Sequence, residues 1–479
     1  MKRFHWYDFI SINLFWFGLN IRNNAVQAIF LPYLVDLFVA ASIRNSALGV
    51  VRAVGLIVAM LAQPIFGILS DRNTSRFGRR RPYIFIGVLF DLVFLAMIAR
   101  STNIWMLFTS IILIQISSNI SHGPLQGLIP DLVPENQRGV ASAVKSIFEL
   151  LPLVVLGFTI AALVGAGRFD LAVFATGAVL FIFMILTVVL VKEKPILKKP
   201  DIPLMPSIAR VFGMLAGIAI GALAGLLAGL IIGSVFGLIF FFLAGKQAAL
   251  TALVSTGGIT AMIVAVVAGV WAGTYTTIGK EVIHYPSFTW WVVNRLMFLA
   301  AITSIQSFAP FFLTYAFNID IEASISMYGQ LITVVGVFTL LSAIPSGWLS
   351  DRIGQNRLIR IAGIIAAAST LLLLGTVWLP NLTIIYIVGI GLGIATGLFV
   401  TTNWALGTRL VPDEQAGRYL GIANLAGAGA GIIGGGLGGL IADYVNLYKP
   451  GLGYFVIFSG FGLLFLLSLV SMLGIKVKE

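Results

Sequence analysis

The sequence predicts an all-α integral membrane protein of two six-helix bundles in parallel repeat plus two extra central helices, about fourteen transmembrane helices in all. Three observations predict it: the share of apolar residues, the alternation of basic residues along the chain, and a loop motif that occurs twice.

Of 479 residues, 59% are hydrophobic and 10% charged. Soluble domains average about 25% charged residues, so this apolar surface is too large for a core surrounded by water. Mean hydropathy is +1.02. The apolar runs are about 20 residues long, enough to cross about 30 Å of hydrocarbon at about 1.5 Å of rise per residue. The short alternating segments of a transmembrane barrel do not occur. The chain has no cysteine, which removes disulfides and thiolate metal sites, and His5, His122 and His284 are too scattered to suggest a metal cluster. No cofactor is expected beyond a coupling ion, H+ or Na+. No basic-then-apolar segment with a small-residue cleavage site precedes the first span, so residues 11–33 are read as a retained helix.

The net charge of +12 is a matter of topology, because the basic residues alternate with the spans. The side of the N-terminus takes Lys2, Arg3, Arg72, Arg76, Arg79, Arg80, Arg81, Arg138, Lys145, Lys192, Lys194, Lys198, Lys199 and Arg210 from the first half. From the second it takes Lys280, Arg295, Arg352, Arg357, Arg360, Arg409, Arg418, Lys476 and Lys478, while the opposite side takes Arg44, Arg100, Arg168, Lys246 and Lys449. By the positive-inside rule both termini are expected in the cytoplasm of a plasma (inner) membrane protein with an even number of spans. A nucleic-acid partner is not implied.

The first six spans are expected near 11–33, 46–70, 82–100, 103–129, 138–164 and 171–191, followed by the Lys/Pro-rich hinge KEKPILKKPDIPLMP at 192–206. The second six are expected near 289–315, 325–347, 357–378, 382–405, 418–442 and 452–475. Two anchors relate the halves. Gly-x-Leu-Ser-Asp-Arg stands at 67–72 and 347–352, an offset of 347 − 67 = 280; Leu-Val-Pro-x-x-Gln stands at Leu132 to Gln137 and Leu410 to Gln415, with Pro134 and Pro412 giving 412 − 134 = 278. Near-equal offsets indicate a duplicated six-helix unit in parallel orientation, as in one large class of secondary transporters. Because six helices take roughly 195 residues, an offset of 280 exposes an insertion of roughly 85. The expected domains are 1–195, the hinge and inserted helical pair at 196–284, and 285–479. In the insertion Gly213, Gly217, Gly221, Gly225, Gly229, Gly233 and Gly237 recur every fourth residue. That bare stripe suits close helix packing, with self-association as the alternative use.

The stretch QPIFGILSDRNTSRFGRRRPYIFIG, Gln63 to Gly87, resembles the loop between helices 2 and 3 of sucrose-type transporters. These are glycoside-pentoside-hexuronide:cation symporters of the major facilitator superfamily. Phe17, Gly18, Leu31, Pro32 and Tyr33, with Asn119, Gly123, Pro124, Asp131 and Leu132, extend the resemblance over about residues 10–160. It implies the major facilitator fold and a small sugar or glycoside as transported partner. The inserted pair departs from that pattern. So does Gln115, which stands where sucrose-type proteins carry a buried aspartate thought to take the coupling proton, and an amide does not titrate.

Ionisable groups inside spans are costly and therefore candidates for function. Lys145 and Glu149, one turn apart, are positioned to pair. Glu149 is the expected coupling carboxylate, and a static pair tying this helix to helix 1 or 4 is the alternative. Arg22, among Asn20, Asn23 and Asn24 with Gln27 one turn on, needs an anionic partner, and Glu149 is the expected one. On helix 4, Gln115, Asn119, His122 and Gln126 form one polar stripe suited to sugar hydroxyls or to neighbouring helices. In the second half, Arg295 and Gln306 share a face, and Thr401, Thr402, Asn403 and Trp404 follow; Trp404 suits a sugar face or an interfacial anchor. Asp91 is expected to be structural and peripheral. Asp71 and Asp351, beside Arg72, Arg79 and Arg352, are expected as latches that open and close with alternating access. Arg76, Arg79, Arg80 and Arg81 also suit anionic lipid headgroups.

Gly429, Gly431 and Gly434 spell Gly-x-Gly-x-x-Gly within a glycine-rich span that no strand precedes, and neither a Walker lysine nor His-Glu-x-x-His occurs, so no enzyme is expected. The expected function is secondary active transport of a small polar solute with proton or sodium coupling. The alternatives are an exporter of drugs or lipids, an organic-anion carrier, and a membrane receptor or interaction scaffold.

Overall fold

A computed structural model describes residues 4–193, 204–284, 286–410 and 416–476, with the side chains of 204–208, 210, 416–428 and 430 left aside. The second Leu-Val-Pro-x-x-Gln copy after Leu410 and most of the hinge lie outside the described residues. The described chain is helical, without strands. α1 covers residues 6–38, in which helix Trp6–Asn24 runs through a π turn, Ala25–Phe30, into Leu31–Phe38. α2 (Arg44–Asp71), α3 (Arg81–Ala99), α4 (Ile104–Leu132), α5 (Glu135–Gly165) and α6 (Phe169–Leu190) follow. The inserted pair is α7 (Leu204–Ala244) and α8 (Lys246–Ile278). The remainder is α9 (Pro286–Phe317), α10 (Ile321–Ile353), α11 (Gln355–Gly375), α12 (Leu382–Leu410), α13 (Ala416–Tyr448) and α14 (Leu452–Ser471). Twelve of these rods qualify individually as membrane spans by length and hydropathy among the described residues. α1 and α13 complete the expected fourteen.

The chain forms two compact units. Unit 1 holds residues 1–38, 57–209 and 325–336; unit 2 holds 39–56, 210–324 and 337–479. Thus α2 and α10 each lend a segment to both units.

In unit 1, α1 packs on α5 and α6, and α3 on α4. Phe17 meets Phe183 of α6 at 4.8 Å between ring centroids. Asn13 Nδ2, buried, donates to the Ala141 carbonyl of α5 at 3.1 Å. The π turn of α1 ends just before Pro32. A proline has no N–H to donate and its ring crowds the carbonyl one turn back, so a shifted register with the Leu31 amide bonded to Val26 lets the rod continue. The segment of α10 in this unit brings Gly329 against Gly157 of α5, and a side chain at either would strike the facing helix.

In unit 2, α9 packs on α13 and α14, α11 on α12 and α14, and α8 on α13. The glycine stripe of α7 has its partner here. A Cβ on Gly225 would lie 2.5 Å from the Ala261 carbonyl oxygen of α8 and 2.9 Å from the Ala265 Cβ; Gly217 faces Gly273, Gly221 faces Gly269 and Gly229 faces Gly257. The seam is therefore occupied within the chain by α8, the close-packing use of the stripe. In lipid two backbones gain by van der Waals contact what they cannot gain hydrophobically. Gly225→Val is expected to overpack this seam at about 1–3 kcal/mol. The check is a lower thermal unfolding midpoint in detergent, whereas Leu226→Val on the exposed face of the same turn leaves it unchanged.

Candidate functional site

The polar groups of unit 1 fall into three clusters. The first is a buried ion pair. Arg22 of α1, 2% exposed, places Nη2 at 2.5 Å from Asp91 Oδ2 of α3, which is 0% exposed. Ser117 of α4 donates to Asp91 Oδ1, and Arg22 Nη1 donates to Asn23 Oδ1 at 2.7 Å. This corrects two expectations. Asp91 is central rather than peripheral, and it, not Glu149, neutralises Arg22. The reason is rotational: α1 and α3 turn these side chains towards each other and towards α4, a relation that spacing along one helix does not carry.

The second cluster surrounds Trp16 of α1. Lys145 and Glu149 of α5 pair as spaced, Nζ to Oε1 at 3.3 Å, each about one-third exposed. Lys145 Nζ also lies 4.1 Å from the centre of the Trp16 ring. Opposite, His122 of α4 sets its ring edge to face with Trp16 at 5.4 Å. Gln63 of α2 and Gln126 of α4 flank the imidazole, at 3.4 Å from Nδ1 and 3.4 Å from Nε2. Both contacts are from amide nitrogens, and a neutral imidazole accepts at one nitrogen alone, so one of the two glutamines donates to the ring. The result is a cluster of one imidazole, two amides and one ion pair around an indole that is itself 3% exposed.

The other residues of the expected stripe turn away from that cluster. Asn119 is buried and donates along its own helix to the Gln115 carbonyl at 2.7 Å. Asn20 and Asn24 likewise donate to the carbonyls of Trp16 and Asn20, at 2.9 and 2.8 Å. Gln115 is itself buried. An asparagine inside a helix competes for the carbonyl one turn back, and that local bond takes one of the two N–H groups of each amide.

The third cluster ties the ends of α2, α3 and α4. Arg80, 7% exposed at its side chain, pairs with Asp71 and with Asp131, the latter at 2.9 Å from Nε. Its Nη1 donates to Ser70 Oγ at 2.5 Å. Arg79 also pairs with Asp131. Glu193 accepts from the backbone N–H groups of Arg80 and Arg81 at 2.9 and 3.2 Å. Burial pushes the Glu193 carboxyl above its ordinary range, and those two N–H bonds oppose the rise. This cluster is centred on Arg80, while Arg72 joins no ion pair among the described residues. The second copy differs. Among the described residues Asp351 has no ion-pair partner, and Arg352 lies 3.9 Å over the Trp348 ring. Arg80 was legible only as one of several clustered arginines, and Asp131 and Glu193 gave no signal of this role.

In unit 2, Asn403 is fully buried. Its amide donates to Asn294 Oδ1 at 2.8 Å, accepts from Arg295 Nη1 at 3.2 Å, and its carbonyl accepts from Trp291 Nε1 at 2.9 Å. With its amide engaged, Asn403 is a packing residue rather than a solute contact. Arg295 lies 5.1 Å from the centre of the Trp404 ring. Gln306 is half-buried on α9 and makes no side-chain hydrogen bond among the described residues. Arg52, buried in α2, is an intramembrane cation that no motif marks.

Comparisons with known proteins agree with this architecture. The family model of the Major Facilitator Superfamily matches residues 17–305 and 292–478. The sucrose transport protein SUC3 of Arabidopsis thaliana is 28% identical over 127 residues, 22% of this chain and 21% of that protein. An uncharacterized symporter of Synechocystis, sll1374, is 31% identical over 147 residues, 28% of this chain and 26% of its own length. The match thus spans about a quarter or less of these relatives. Among solved structures, the nucleoside transporter NupG has a TM-score of 0.63 at 14% identity, covering 98% of this chain and 100% of that one. A peptide transporter, POT, has a TM-score of 0.66 at 15% identity, covering 98% and 96%. At such identities the likeness is one of fold.

Proposed function

Because this chain belongs to the major facilitator superfamily, we propose that it is a secondary active transporter carrying a small sugar or glycoside by alternating access, driven by a proton gradient. The observation that carries the reading is the cluster around Trp16. His122, Gln63 and Gln126 donate to and accept from the hydroxyls of a sugar, with the indole buried behind them. Glu149, paired with Lys145 and one-third exposed, is the carboxylate placed to exchange a proton with water beside that cluster. Asp91, enclosed by Arg22 and Ser117, has no such access. Sucrose and glucoside carriers among the relatives, including a general alpha-glucoside permease of Schizosaccharomyces pombe 29% identical over 128 residues, support a sugar as solute. Both termini are read as cytoplasmic from the charge distribution.

The rivals fit less well. An exporter of apolar compounds calls for aromatics with few amides, whereas amides flank the imidazole here. An anion carrier calls for two unpaired cations facing the cavity, and of Arg22, Lys145 and Arg295 the first two have carboxylate partners, which among the described residues leaves Arg295 alone. A receptor or scaffold using the glycine stripe calls for a free stripe, and α8 covers it.

The test is uptake into proteoliposomes of sucrose, methyl α-glucoside and organic anions, with and without a pH gradient. Accumulation of a sugar only with the gradient is expected. Glu149→Gln is expected to abolish accumulation while sparing exchange between equal sugar pools, since exchange needs no net proton movement. Undiminished accumulation by Glu149→Gln removes it from the coupling role; a sodium gradient driving uptake at equal pH on both sides removes the proton.

A further inference from the structure

Unit 2 contains a cavity of about 260 Å³ that no part of the proposed transport cycle uses. It lies where the start of α2, the ends of α9 and α13 and the start of α14 meet, at the end of the unit that the charge distribution assigns to the outer side. Arg44, Asn45, Tyr315, Asp443, Asn446 and Tyr454 contribute its polar lining.

The chemistry of this lining selects one kind of ligand. Asp443 accepts from the amide N–H of Ser46 at 2.6 Å, from Asn45 Nδ2 at 2.7 Å and from the Asn45 amide N–H at 3.4 Å. Its charge is thereby committed to the exposed N–H groups at the start of α2 and is not free to hold a cation. Asn45 itself is 2% exposed, and its Oδ1 accepts no hydrogen bond. A buried carbonyl oxygen without a donor is costly, so a donor from a ligand is favoured there. Arg44, over the Phe311 ring at 4.8 Å, already bonds the Phe311 carbonyl at 3.5 Å and the Tyr454 side chain, and its five-donor guanidinium adds N–H groups to the lining. A hydroxyl can donate to one such neighbour and accept from another with a single atom. Tyr315 and Tyr454 add two rings with centroids 5.5 Å apart and inclined by 33°, apolar faces suited to C–H bonds. The volume falls just below the ~300 Å³ at which sites for drug-sized ligands begin, and so accommodates about one ring.

We propose that this cavity is a peripheral binding site for a neutral, hydroxyl-rich single ring, such as one ring of the carried sugar, with Asn45 Oδ1 accepting from a ligand hydroxyl. The identity of the ligand rests on the sugar reading above; the hydroxyl chemistry rests on the lining alone.

Because the chain has no cysteine, Ser42→Cys at the exposed rim of the cavity supplies a single thiol. The full-length variant in lipid nanodiscs, where both faces are open, is labelled with a maleimide while sucrose or methyl α-glucoside is titrated. Either probe at ten times its dissociation constant is expected to slow labelling about tenfold, since only the unoccupied fraction reacts. Methanesulfonate and choline are expected to leave the rate unchanged, and sucrose protection is expected to persist when His122→Ala removes the imidazole of the unit 1 cluster. Labelling insensitive to both sugars overturns the proposal, as does protection by methanesulfonate or choline alone, or protection lost with His122→Ala. Sugar uptake without protection counts against this site only. Protection without sugar uptake supports the site and counts against the proposed transport.

Discussion

Arg22→Leu is expected to leave little stably folded protein. It strands the Asp91 carboxylate, 0% exposed, with Ser117 as its remaining side-chain hydrogen-bond partner, and breaking a buried pair from one side costs about 3–5 kcal/mol. A large fraction of a typical folding free energy is lost that way. The double variant Arg22→Met with Asp91→Leu is expected to recover most of the loss, because two apolar side chains of similar size replace a buried ion pair at little or no cost. Thermal unfolding in detergent, followed by size-exclusion, reads both. If Arg22→Leu melts with the parent protein, the pair is not what holds α1 to α3. Uptake by the recovered double variant then separates roles: full uptake makes the pair structural, and lost uptake gives it a part in transport.

Arg80→Gln is expected to abolish uptake while the chain remains folded. The guanidinium joins Asp71, Asp131 and Ser70 at the end of α2, and its loss releases Asp71 and leaves Asp131 with Arg79 alone. Those carboxylates are partly exposed, at 30% and 18%, so water takes over some of the lost bonding. A stability cost of about 1–3 kcal/mol follows, the range for bonds to charged groups. Arg79→Gln, which removes one contact to Asp131, is expected to be milder. Arg352→Gln in the second copy of the motif removes a cation over an exposed indole, worth about 0.5–1 kcal/mol, and is expected to change uptake least. Equal losses from Arg80→Gln and Arg352→Gln would restore the symmetric latch that the repeated sequence suggests. Uptake and thermal midpoint, measured together, distinguish a loosened latch from an unfolded chain.

That contrast shows how far the repeat can be read. Duplicated strings at 67–72 and 347–352 establish two related halves, but the partner of each aspartate comes from whatever stands next to it. The first copy is followed by the arginine-rich stretch that supplies Arg80, and the second is not. The same limit applies to Arg22. An intramembrane cation announces its need for a carboxylate, yet Asp91 is 69 positions away and competes with Glu149 on equal terms in the sequence. Glu149 and Lys145 could be paired in advance because one helical turn separates them. The asparagines beside Arg22 looked like solute contacts, since their type was visible and their rotamers were not.

Composition and local spacing by themselves determined the membrane environment, the helical class, the inserted pair, the glycine seam and the Lys145–Glu149 pair. Each depends on transfer energy or on the period of one helix, and both are properties of a segment taken alone. The tertiary structure alone decided that α8 fills the seam of α7, that Arg22 meets Asp91, that Arg80 gathers two aspartates, and that Asn45 is left with an unsatisfied oxygen beside a cavity. Those outcomes depend on how each helix is rotated about its axis and which neighbour it faces, which packing of the whole set of helices fixes and no single segment encodes.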